Sequence, residues 1–333
     1  VLNKPSRLYA GAVVAVIMIA AVYILQQGIA ARIVRPCIPS ADGILCYTQP
    51  TTLTGSAATA IAVSPDGQRL VSGSRRTLQL WDLETNRLEY SWQGHQDWIT
   101  ALAISPNGRT LASASLDQTV KLWSLETGNL LGTLKTARVT CLQFSPDGRS
   151  LAAGSRIIRW PDEAVSNEGV QVWDVATRRL SRRMGHGPVA VLAFSPDSKL
   201  LALGNQNTQI WRIKSRTRLR TFNSGNPTAL MFSPDGQQLI SASSKIKFWQ
   251  IHSGALMHQM NSSAIDLALT SDGQTLATAS GGTVNLWQFD TRKLLTTIRG
   301  SWYSGLSIDF GLDGEAIITS SSDGIKVWHA VQR

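Results

Sequence analysis

The residue types that invite chemistry in this 333-residue chain are five histidines, three cysteines and a recurring aspartate in Ser-Pro-Asp-Gly. The aspartates suggest calcium at first, but each stands alone in its own turn. None lies in the D-x-D-x-D-G loop that wraps one ion. The histidines (His95, His186, His252, His258, His329) are scattered, and no pair has zinc-ligand spacing with a cysteine. No nucleophile elbow, P-loop or dinucleotide fingerprint occurs. The sequence therefore predicts no catalytic residue, no metal and no cofactor. Cys37 and Cys46 flank a short polar loop, and two readings stand for them. A disulfide would require an oxidising compartment; the alternative is a pair of free thiols. Cys141, within Val139–Phe144, reads as a buried core residue.

The elements that carry these residues repeat. Turns recur at Ser64-Pro65-Asp66-Gly67, Ser105-Pro106-Asn107-Gly108, Ser145-Pro146-Asp147-Gly148, Ser195-Pro196-Asp197-Ser198 and Ser233-Pro234-Asp235-Gly236. Two shorter copies follow at Ser271-Asp272-Gly273 and Leu312-Asp313-Gly314. Each turn is followed by a run that closes on tryptophan: Trp81, Trp123, Trp173, Trp211, Trp249, Trp287 and Trp328. The tryptophans are 42, 50, 38, 38, 38 and 41 residues apart, the signature of one supersecondary unit repeated seven times. Within a unit, Ile99–Ile104 reads as a buried strand, and proline then glycine preset a tight turn. Leu111–Ser115 is small enough for close sheet packing. Val120–Trp123 alternates as a third strand, and Leu130–Leu134 supplies a fourth.

This pattern resembles the WD40 repeat, in the degenerate, Ser-Pro-Asp-Gly-rich form of bacterial members. The resemblance covers residues 46–333. It implies an all-β, seven-bladed β-propeller of four-stranded antiparallel blades, its ring closed by a strand at about 47–54. It also implies a hydrogen-bonded set of His95, Ser113, Asp117 and Trp123, complete only in the second blade. His186 and Asp323 are single remnants of that set elsewhere, so the other blades are expected to rely on packing. Such a fold hosts many functions and names none.

Charge and hydropathy add context. The net charge is +10, and residues 149–220 hold 13 Lys or Arg against 5 acids. Arg178, Arg179, Lys214 and Arg216 form a candidate lipid-facing basic patch, since the cluster lacks the interleaved aromatics of a base-stacking surface. Leu8–Leu25 is an unbroken run of 18 apolar or small residues, long enough at about 27 Å to span a bilayer. It reads as a transmembrane helix after a short tail (1–25), with 26–45 as linker; a cleaved signal peptide is the alternative. The cysteine pair and the basic tail favour an exported propeller, with a cytoplasmic one as the alternative.

On the face away from the linker, blade 3 carries an insertion within Arg156–Gly169 with Trp160 at its middle. Trp98, Trp302 and Tyr303 ring the same face. Together they form the candidate partner surface. The expected function is a membrane-tethered, non-enzymatic scaffold for protein partners, with a monomeric propeller. One alternative is an enzyme or small-ligand sensor using the channel, where Asp266 and Asp309 are the only acids on the innermost strands. Another is nucleic-acid binding by the basic patch.

Overall fold

Each repeat folds into one antiparallel sheet, its apolar stretches joined by short turns everywhere but at the blade 3 insertion between Gly154 and Val170. In blade 2, Ile99–Ile104, Thr110–Ser115, Thr119–Ser124 and Leu130–Lys135 pair in chain order from the innermost strand outward. Five further sheets of the computed structural model repeat this four-stranded order. The structure describes residues 37–40, 43–53, 58–155, 169–299, 307–321 and 323–332. All of these belong to one compact unit, Pro36–Arg333. The apolar run at 8–25 lies outside the described residues, as do Trp160, Trp302 and Tyr303. Among the described residues no helix is long and apolar enough to cross a membrane.

The innermost strands contact one another in sequence around a ring, and that of blade 7 (Ser307–Gly311) meets that of blade 1 (Ala60–Val63). The core is correspondingly divided. Among the described residues there are seven buried apolar clusters, and each spans one junction between neighbouring blades. Ala112 and Ala114 are fully buried at such a junction, which is why this strand is built of small residues.

Blade 7 is composite. Its third strand, Gly324–Gln332, is paired by two N-terminal strands, β2 (Gly43–Tyr47) and β3 (Thr51–Leu53). The single closing strand expected over 47–54 is thus two strands, with Pro50 between them, whose missing N–H interrupts a ladder. A further strand, β1 (Cys37–Ser40), pairs with β2, so the last nine residues of the expected linker include a hairpin of the sheet. Tyr47, fully buried, donates its hydroxyl to the Gly314 carbonyl at 3.0 Å and ties this N-terminal strand to blade 7.

The tight turns form a second ring on one face. Gly148 of blade 3 abuts Pro106 of blade 2, and Gly236 of blade 5 abuts Pro196 of blade 4. In blade 4, Ser198 replaces the glycine at φ 59°, and its Oγ accepts the Asp147 N–H at 3.0 Å. The third-to-fourth-strand turns lie on this face too, since Val175 N–H donates to Arg149 O and Ile213 N–H to Lys199 O. So does the entry of the closing segment, through Tyr47 and Gly314.

Candidate interaction surfaces

The polar set of blade 2 is assembled. Trp123 Nε1 donates to Ser113 Oγ (2.8 Å), and Ser113 Oγ stands 2.7 Å from His95 Nε2. His95 Nδ1 stands 2.9 Å from Asp117 Oδ2. One proton arrangement satisfies all four: Nδ1–H donates to Asp117, and Ser113 donates to Nε2. Burial holds the His95 pKa below its ordinary value against the pull of Asp117, so the imidazole is neutral at pH 7. Burial acts to raise the Asp117 pKa, but hydrogen bonds from Thr119, the Gln96 N–H and His95 outweigh it and keep the carboxylate ionised.

The other blades keep more of this set than expected. Trp81, Trp249, Trp287 and Trp328 donate their indole N–H to Ser72, Ser241, Thr278 and Thr319. In each case the hydroxyl stands two residues beyond the tryptophan's partner in the register. In blade 3 that position is Ala153, and Trp173 Nε1 is buried without a partner. In blade 4 it is Leu203; Trp211 turns to Gln209 instead, and His186 is exposed.

The turn aspartates are occupied by their own turns. Asp66, Asp147, Asp197, Asp235 and Asp272 each accept a hydroxyl two residues back and an N–H two residues on. Among the described residues, no three His, Cys, Asp or Glu side chains converge as a metal site.

The ring encloses a channel of about 1050 Å³, with Asp266 and Asp309 in its wall. Both carboxylates reach across blade junctions. Asp266 Oδ2 accepts Ser307 Oγ–H (2.8 Å) and Ile308 N–H (3.0 Å), joining blade 6 to blade 7. Asp309 of blade 7 accepts the Phe310 N–H at 2.9 Å and faces the Val63 N–H of blade 1, which acts to lower its pKa. Gln143, at the equivalent position of blade 3, accepts Phe194 N–H of blade 4 at 2.7 Å, so a neutral amide does the same work there. Burial pushes the Asp309 pKa up to about 7, helped by the Asp266 charge, and burial raises that of Asp266 as well. The composite blade is therefore bonded to blade 6 through Asp266 and faces blade 1 through Asp309.

At the mouth opposite the tight turns, Trp98 and Ile265 are 51% and 40% exposed. Trp98 O accepts the N–H of Leu116, in the turn between second and third strands, which puts Trp98 on that face. Arg75, in the corresponding turn of blade 1, also lines the mouth and is exposed. Trp160, Trp302 and Tyr303, expected beside Trp98, lie outside the described residues.

The basic residues divide into two sets. Arg182 Nη1 donates to Ile213 O of blade 4 (2.6 Å), and Arg220 donates to Ile251 O and His252 O of blade 5. Tyr90 holds the equivalent place in blade 1 and donates to Leu125 O of blade 2 at 2.6 Å. Two of the positive charges therefore latch neighbouring blades. Arg178, Arg179, Lys214 and Arg216 are exposed. Arg178 lies across Gly132 of blade 2, where a Cβ would come 2.8 Å from its Cδ.

A family model described as the IFT122 first beta-propeller matches residues 57–264, more than half of the chain, and one for the WD domain, G-beta repeat, matches residues 255–288. The chain belongs to the WD40-repeat β-propeller family. Among relatives of this WD40 propeller is Protein SPA1-RELATED 3 of Arabidopsis thaliana, 35% identical over 39% of this chain and 15% of that protein. Small ribosomal subunit protein RACK1y of Oryza sativa is 31% identical over 34% of this chain and 32% of its own length. The Intraflagellar transport protein 122 homolog of Mus musculus is 22% identical over 44% of this chain and 12% of its own length. The match thus spans a third or less of each of these relatives.

Proposed function

We propose that this WD40 propeller is a membrane-tethered, non-enzymatic scaffold that presents its Trp98 face to protein partners. The observation that carries this reading is the entry of the closing segment on the tight-turn face, through the Tyr47–Gly314 bond. The residues that lead to it contain the apolar run at 8–25, and Trp98 lies on the opposite face of the propeller. Exposed tryptophan at a concave mouth is a common anchor for protein contacts. The channel carboxylates support a scaffold over an enzyme, because Asp266 is hydrogen-bonded to the backbone of the neighbouring blade and Asp309 is buried at the next junction. Cys46 is disulfide-bonded, which supports an exported propeller.

The test is co-purification from detergent-solubilised membranes with the wild-type chain and Trp98→Ala. The reading expects a discrete set of proteins that Trp98→Ala loses while its circular dichroism is unchanged. An identical set from both forms would refute the assignment of that face.

A further inference from the structure

The exposed cations of blades 3 and 4 are placed in a way that their number alone does not express. Seven blades follow one another around the ring, so the junction between blades 3 and 4 lies diametrically opposite blade 7. Blade 7 is where the chain enters, and it does so on the tight-turn face. Arg178 and Arg216 sit in third-to-fourth-strand turns on that same face. In blade 4, Arg212 ends the third strand, Lys214 and Arg216 lie in the turn and Arg218 lies at the start of the fourth strand, all exposed, with no acid among residues 212–220. Blades 1 and 3 have Asp82 and Asp174 where blade 4 has Arg212. Among the described residues no ion pair with an acid engages Arg178, Arg179, Arg212, Lys214, Arg216 or Arg218, whereas nearby Lys199 pairs with Asp197 at 3.5 Å.

Resting on the membrane-tethered reading, we infer that the arc Arg178, Arg179, Arg212, Lys214, Arg216 and Arg218 binds the anionic headgroups of the bilayer. With attachments at opposite ends of a diameter, the ring lies flat, tight-turn face down. A tether alone leaves the propeller free to tilt; a second contact across the ring fixes the outward direction of Trp98. Charged residues near an anionic surface contribute about 1 kcal/mol each, so several acting together suffice to hold one edge.

The test uses the full chain in nanodiscs of phosphatidylcholine with or without phosphatidylserine. Arginines are footprinted with phenylglyoxal, and Arg75 on the opposite face serves as internal control. The inference expects labelling of Arg178, Arg212 and Arg216 to fall at least about threefold in the anionic discs, with recovery in high salt. Arg75 should not change, and Lys214→Glu/Arg216→Glu should abolish the protection of Arg178 and Arg212. Equal labelling in both discs by protein that remains embedded overturns the flat geometry and spares the tether. Protection by a single-stranded oligonucleotide but not by phosphatidylserine overturns it in favour of nucleic acid. Protein stripped from both discs by alkaline carbonate refutes the tether, and the flat geometry falls with it.

Discussion

Arg182 reaches from the outer strand of blade 3 to the carbonyl of Ile213, two residues past the closing tryptophan of blade 4. Tyr90 makes the corresponding bond one pair of blades earlier in the ring's first junction. A phenol and a guanidinium share little except a donor at the end of a long, partly apolar stem, and that is what the position selects. Arg182→Ala should cost about 1–2 kcal/mol, a charge-assisted hydrogen bond at a half-buried site. Arg182→Met, which keeps the stem, should recover less than half of it in urea denaturation. Equal stability of Met and wild type would mean that packing alone holds the junction.

Blade 3 contains an unmet donor. Trp173 Nε1 is buried without a partner because Ala153 occupies the place of Ser72, Ser113 and Ser241. Ala153→Ser should supply the missing acceptor and raise stability by about 1 kcal/mol. A stabilised variant with a shifted Trp173 indole proton resonance is the expected result.

Asp309 makes stability depend on pH near neutrality. Its folded pKa of about 7 lies above the ordinary aspartate value, so the folded state binds more protons than the unfolded one between about pH 4 and 7. Its contribution is most favourable below about pH 4 and is lost as pH rises through 7. Melting temperature should therefore fall between pH 5.5 and 8 (roughly one to three kcal/mol in all). Asp309→Asn keeps an acceptor for the Phe310 N–H, and its melting temperature should be flatter across this range and higher at pH 8.

His95 joins Ser113 to Asp117, so its loss leaves the buried Ser113 hydroxyl without its acceptor and takes one donor from Asp117. His95→Ala should destabilise by about 2–4 kcal/mol. Calorimetry of wild type, His95→Ala, Asp117→Asn and the double variant should show strong non-additivity.

Much of the ring was legible because each blade announces itself twice, by its tight turn and by its tryptophan. The four residues of blade 2 were legible for the same reason. The indole–hydroxyl pairs of blades 1, 5, 6 and 7 were also present in the sequence, as a Ser or Thr at a constant register offset, but a search for the full four-residue set passes over them. The β1–β2 hairpin had a signal as well, since Asp42-Gly43 between two short β-capable runs is hairpin chemistry. The latches were not legible. Whether Arg182 faces solvent or the carbonyl of Ile213 depends on how two sheets pack, and charge patterning along one strand carries no information about the next blade. Asp266 and Asp309 stood out by type, but their places at the junctions with blades 7 and 1 exist only once the ring is closed.

The central claim is that one face of a tethered ring does the binding, and site-specific photocrosslinking in native membranes tests it most directly. A photoreactive residue at Trp98 is compared with one at Leu256, exposed on the outer strand of blade 5. The account predicts a discrete, light-dependent protein adduct from position 98 that is absent from position 256. The same adducts from both positions, or an adduct from 256 alone, would contradict it.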